Sequence, residues 1–279
     1  MKRIVTMQDI SCVGKCSLTA ALPVLSAMGL ETAVLPTAVL SSHTMFKHVS
    51  FCDLTDQIPA ILHAWNEEHF TFSAIYTGYL GSAKQISYAM DLFDQFGKDA
   101  LILVDPCMAD HGKLYRGFSM DFVHQMKQLC RKASIICPNL TEACLLLGIP
   151  YQESFSDEEL QSMLRKLADL GCSTAVLTGI STEIGKIGSI AYSRTDNTFH
   201  EAMTEKEPQQ FHGTGDLWAS TFLGALCRGK KLPEAMQIAC SFVQKSIACT
   251  LQEPDHNRYG VNFEQALPDL IQMTFTKNV

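Results

Sequence analysis

In the stretch HGTGDLWAS, residues 212–220, two glycines and a carboxylate stand where an apolar helix should begin. Glycine permits positive φ and a close approach of backbone to ligand. The N–H groups of Thr214, Gly215 and Asp216 would then point from a helix N-terminus toward an anion, and a phosphate fits such a nest. Asp216 has two readings. It can be a first-turn acid favoured by the helix dipole. It can also be a general base: a carboxylate beside bound phosphates repels them unless it works on a neighbouring hydroxyl, and taking a proton from an attacking alcohol meets both facts.

Two other phosphate-binding motifs are excluded by spacing. CVGKCS (12–17) has Gly14-Lys15, but Cys16 stands where a P-loop needs Ser or Thr, and no glycine lies five residues earlier. No GxGxxG follows the first apolar run, so a dinucleotide fold is not indicated.

Short β-branched runs alternate with helical segments along the chain. Strands are predicted at 2–7, 31–40, 72–78, 100–106, 133–139 and 173–179, with an antiparallel pair at 187–193 and 198–203. Pro36 places the second run near an edge or at a bulge. Helices are predicted near 16–29, 53–68, 82–96, 119–132, 141–147, 156–170, 214–228, 233–251 and 263–273. This beat specifies βαβ units, a mostly parallel sheet and helices on both faces. With no linker and no repeat, residues 1–279 read as one domain. Ligands of such sheets bind at the carboxyl ends of strands. Those ends here carry MQDIS, VLSSHT, YTGYLGS, DPCMAD, CPNLTEA and LTGIS, the polar stretches of the chain.

Composition narrows the partners. Apolar residues make up 47% and charged ones 18%, the balance of a packed globular chain, and the formal charge is −7. No Lys/Arg cluster is present, which argues against nucleic acid and anionic membranes. No run approaches a membrane span, and the N-terminus is too soon polar for a signal peptide. The 11 cysteines lie mostly in apolar runs without zinc-ligand spacing, so reduced, buried thiols in a cytoplasmic protein are expected.

Taken in order, SSHT (41–44), TGYLGS (77–82), DPCMADHGKLY (105–115), PNLTEA (138–143) and GTGD (213–216) resemble the ribokinase-like kinases, and within them the pyridoxal/pyridoxine/pyridoxamine kinase family. The similarity covers essentially the whole chain. It implies a three-layer α/β/α fold and transfer of the ATP γ-phosphate to the 5′-hydroxymethyl group of a B6 vitamer. Alternatives are a hydroxymethylpyrimidine, sugar or nucleoside kinase of the same superfamily, or a catalytically silent B6-binding protein. Leu217 stands after Asp216, and DISCVGKCS lacks the paired glycines of sugar kinases; both features favour the first reading.

The resemblance also implies roles. Asp216 is the base, with Gly213, Thr214 and Gly215 donating N–H groups to the transferring phosphoryl. Asp105, Asp110 and Glu142 stand on the side of an Mg²⁺ brought by ATP, and hard carboxylate oxygens suit that ion. Asn139, Glu142 and Thr178 face the nucleotide, although NLTE is equally a good helix-capping sequence. His43 stacks on the vitamer ring, Thr44 hydrogen-bonds it, and Tyr79 forms an aromatic wall. Residues 109–118 form a closing flap with Tyr115 near its tip. Asp9 and Ser11 are further ring contacts, and Asp9 departs from the Ser that related branches carry there. A monovalent cation and a homodimer complete the expectation.

Overall fold

The structure is a computed structural model and describes residues 2–256 and 259–276. Strand β1 (Arg3–Ser11) leads through helix α1 (Ser17–Ala27) to its parallel neighbour β2 (Glu31–Leu40). After the edge strand β3 (Phe51–Asp53), α2 (Ile58–Glu67) crosses back to β4 (Ala74–Thr77) on the other side of β1. Then follow α3 (Ala83–Phe96), β5 (Leu101–Val104), the small hairpin of β6 (Ala109–Asp110) and β7 (Lys113–Leu114), and α4 (Met120–Arg131). Next come β8 (Ile135–Ile136), α5 (Leu140–Leu147), α6 (Asp157–Ala168), β9 (Thr174–Ile180), β10 (Lys186–Ser193) and β11 (Thr198–Glu205). Helices α7 (Thr214–Cys227), α8 (Leu232–Leu251) and α9 (Phe263–Phe275) close the described chain.

The main sheet runs β11-β10-β9-β8-β5-β4-β1-β2-β3, parallel from β9 to β2 and antiparallel at both margins. Alternating side chains feed two cores, as the period of a strand demands. Val5, Met7, Ile75 and Val104 pack under α2 to α6, whereas Ile4, Tyr76 and Leu103 pack under α1, α7, α8 and α9. This is the three-layer α/β/α arrangement expected from the alternation. At β1 and β4, adjacent parallel strands send their chains to helices on opposite faces, so a crevice opens between their carboxyl ends.

Some local features depart from the expected elements, and others match them. Residues 51–53 form an edge strand, and 55–57 a 3₁₀ turn, so the helix expected from about 53 starts at Ile58. The flap folds as the β6–β7 hairpin. Only Ile135 and Ile136 of the 133–139 run are strand. Pro36 sits at the bulge, where β1 pairing jumps from Gln8–Pro36 to Ile10–Val39. The cysteines are free thiols and, apart from Cys12, Cys52 and the half-buried Cys107, are buried. Among the described residues no helix is long and apolar enough to cross a membrane.

Candidate active site

Helix α7 owes its start to Gly213, whose φ of +77° is left-handed and whose missing Cβ admits the carbonyl of Lys15. Buried Leu217, Trp218, Phe222 and Leu223 then seat the helix in the core. Burying side chains of this size is worth about 1.5–3 kcal/mol each. Gly224 lets α7 lie close on α1, because a Cβ there would overlap the Met28 sulfur. The two helices therefore run side by side in the same sense. Their N-termini meet at Asp216, and the Ser17 N–H donates to Asp216 Oδ2 at 2.9 Å. Burial and the charge of Asp9 raise the Asp216 carboxyl to about 6, against the opposing hydrogen bond from Ser17.

On one side of Asp216 the carboxyl ends of β1 and β4 gather the expected vitamer residues. Asp9 is buried and accepts from Ser11 Oγ at 3.2 Å; burial pushes its carboxyl above the usual range, while Ser17 and Ser11 pull it down. Gly78 lets the loop after β4 close down, since a Cβ there would stand 2.8 Å from Gln8 Cδ. Tyr79 stacks 5.7 Å from Phe118, which stacks on Phe122 at 3.9 Å and lies 6.5 Å from Tyr115. Phe118 thus links the Tyr79 wall to the flap. It was missed as a site residue, although the Tyr115, Phe118, Phe122 spacing was visible. His43 and His212 bring their rings to 4.8 Å, and burial followed by the charge of His212 lowers the His43 imidazole. Thr44 is exposed and is not drawn in with these groups.

On the other side runs a cleft of about 670 Å³. Asp105, Asp110, Tyr115, Asn139, Glu142, Thr178 and residues 213–216 line it, and it continues over Ile180 and Ile187 toward Val243 and Ile247 of α8. Glu142 is buried: Oε1 accepts from Met108 N at 3.1 Å and Oε2 from Asn139 N at 2.9 Å. Asn139 Oδ1 accepts in return from Glu142 N at 2.9 Å, and its Nδ2 donates to the Ala109 carbonyl at 2.9 Å. This capping box starts α5 and braces the flap, so the Asn139 amide already has partners at both ends. Asp110 is exposed at the hairpin and accepts from the His111 N–H at 2.8 Å.

The acids fit a divalent cation better than they fit one another. Burial lifts Glu142 to about 8. Burial and then the charges of Glu142 and Asp216 lift Asp105 well above the usual carboxylate range. The Asp105 carboxylate accepts no hydrogen bond from any described residue. Lys206 is the one described lysine or arginine lining the cleft, against seven acids. No three His, Cys, Asp or Glu among the described residues converge as a closed metal cage. An open, water-rich site sharing its ion with a polyphosphate needs no such cage.

The profile of the phosphomethylpyrimidine kinase family matches residues 14–261. Pyridoxal kinase PdxY of Pasteurella multocida is 26% identical over 272 residues, covering 92% of each chain. The crystal structure of pyridoxal kinase from Lactobacillus plantarum superposes with a TM-score of 0.91 at 31% identity, covering 98% of both chains. A Bacteroides thetaiotaomicron chain, described as a candidate phosphomethylpyrimidine kinase and crystallised with pyridoxal, gives a TM-score of 0.92 at 40% identity over 96% of this chain and 95% of that one. The chain belongs to the phosphomethylpyrimidine kinase family, on its pyridoxal/pyridoxine/pyridoxamine kinase side, with the ribokinase-like fold.

Proposed function

We propose that this chain, acting as a single kinase domain, transfers the γ-phosphoryl group of ATP to the 5′-hydroxymethyl group of B6 vitamers. One observation carries the reading: the Asp216 carboxylate lines the cleft and lies close enough to Asp9, in the polar pocket at the end of β1, to feel its charge. A base there reaches both substrates. Asp216 takes the proton of the 5′-hydroxyl as that oxygen bonds to the γ-phosphorus and the bond to the β-phosphate oxygen breaks. Products are the phosphate ester and ADP, and the proton later leaves Asp216 for solvent. Thr214 and Gly215 N–H groups, with the Gly213 turn, meet the charge spread over the transferring oxygens, where preorganised donors matter most.

Asp105, Asp110 and Glu142 would hold Mg²⁺, which when bound would neutralise phosphate charge. Thr178 and Asn139 border the nucleotide. Asp9, Ser11, His43 and Tyr79 orient the vitamer, and Tyr115 on the hairpin closes over it to exclude water. A monovalent cation and a homodimer follow from the family resemblance, and a cytoplasmic location from the reduced, mostly buried thiols; rate against K⁺ concentration and sedimentation test the first two.

The alternative acceptor within the same superfamily is hydroxymethylpyrimidine, whose primary alcohol presents the same chemistry. The test is ADP release with MgATP and, separately, pyridoxal, pyridoxine, pyridoxamine, hydroxymethylpyrimidine and ribose. The highest kcat/KM should fall on a B6 vitamer. A preference for hydroxymethylpyrimidine by tenfold or more, about 1.4 kcal/mol of transition-state binding, would transfer the assignment to that substrate.

A further inference from the structure

The CVGKCS loop, unfit as a phosphate loop, proves to be a strut. Cys12 N donates to the Leu40 carbonyl at 2.9 Å, and His43 N donates to the Val13 carbonyl at 2.9 Å. The Lys15 carbonyl packs on Gly213, and Gly260 makes room for the Lys15 side chain. Lys15 does not point its charge into the cleft. Its ammonium donates to Asn262 Oδ1 at 2.9 Å and Glu264 Oε2 at 2.8 Å, near the Phe263 ring. Asn262 is itself buried and donates its N–H to Thr250 Oγ1 at 2.7 Å, so the anchor is tied into the end of α8.

Two residues beyond Lys15, the chain does something costly. Ser17 adopts φ +47°, a left-handed conformation that a non-glycine residue holds only when its surroundings impose it. That conformation aims the Ser17 N–H at Asp216. The restraints on the loop are the Lys15 contacts on one side, the 40–43 strand end on the other, and Thr19 Oγ1, which reaches the Gly14 carbonyl at 3.0 Å and the Cys16 carbonyl at 2.7 Å.

We propose that Lys15 is a positioning residue: its ammonium, clamped by Asn262 and Glu264, fixes the 15–17 backbone so that Ser17 N–H orients the Asp216 carboxylate toward the acceptor hydroxyl. This rests on the reading of Asp216 as the base. Releasing the clamp lets Ser17 relax to an ordinary conformation and swings the N–H away, leaving the substrate pockets in place. A misplacement of about 1 Å at a reacting group costs on the order of a hundredfold in rate.

The experiment measures kcat, both KM values and Tm for wild type, Lys15→Met, Lys15→Arg, Asp216→Asn and the Lys15→Met/Asp216→Asn double variant. Lys15→Met should lower kcat by roughly tenfold to a hundredfold with both KM values little changed, and Lys15→Arg should restore most of it. In the Asp216→Asn background Lys15→Met should cost nothing further, because residues that act as one unit are not additive. An equal loss in both backgrounds, or an unimpaired Lys15→Met enzyme beside a crippled Asp216→Asn one, overturns the proposal alone. A near wild-type Asp216→Asn enzyme overturns both this proposal and the base reading. Should Lys15→Met not fold, Glu264→Gln at the exposed end of the clamp carries the test: a several-fold lower kcat, absent in the Asp216→Asn background, supports the clamp, and an unchanged kcat overturns it.

Discussion

Ser17 and Asp216 are 199 residues apart in sequence and 2.9 Å apart in space, the N–H of one on the carboxylate of the other. The contact exists because α1 and α7 lie side by side with their N-termini at the same end. Two helix dipoles therefore point at one carboxylate and at whatever anion lies beside it. Such an arrangement stabilises negative charge, yet burial and Asp9 raise the carboxyl to about 6. A group near 6 is ionised at neutral pH and still basic enough to accept a proton in the transition state.

The first prediction follows from that value. Only the ionised carboxylate can act as base, so kcat/KM should climb as pH rises through about 6 and level off above it. Because the Asp9 charge raises Asp216, Asp9→Asn should move that acidic limb to lower pH. The measurement is kcat/KM against pH for both proteins. A limb that does not move would mean that Asp9 does not act on Asp216.

The acids across the cleft should separate a metal role from a structural one. Asp105→Asn and Glu142→Gln should each raise the Mg²⁺ concentration needed for half-maximal rate at fixed ATP. Glu142→Gln alone should also lower stability, by about 1–3 kcal/mol, because an amide cannot accept from both Met108 N and Asn139 N. Mg²⁺ titrations and thermal melts read the two effects independently. Unchanged titrations in both variants would remove these acids from the metal site.

Asp9 should also read the vitamer. It is buried at the end of β1 beside Ser11, and its carboxyl lies above the usual range. Pyridoxamine presents a cation where pyridoxal presents an acceptor, so an ionised Asp9 distinguishes them. Asp9→Ser should change kcat/KM for the three vitamers unequally, by about tenfold between extremes, or about 1.4 kcal/mol. Equal changes for all three would make Asp9 a support of the pocket and not a reader of the substituent.

Much of this arrangement was legible because it is periodic or local. Alternation gave the strands, GTGD marked the start of α7, and NLTE announced the capping box that the structure forms at Asn139 and Glu142. What was not legible depends on distant partners. Strand β3 is three exposed residues that pair with β2 only because an edge is free there. The β6–β7 hairpin is two residues a side, too short for a period to show. The same holds for Lys15, whose partners Asn262 and Glu264 lie almost at the other end of the chain.

The most direct test of the whole account is product formation by the wild-type protein and by Asp216→Asn, each given MgATP and pyridoxal and followed by ³¹P NMR. The wild type should convert the γ-phosphate to a phosphate monoester of pyridoxal, one for each ADP formed. Asp216→Asn should bind both substrates with little change and turn over roughly 10²–10⁴-fold more slowly, the usual range for a positioned acid–base group. A wild-type protein that binds pyridoxal and makes no ester, or an Asp216→Asn variant that makes it at the wild-type rate, would contradict the account.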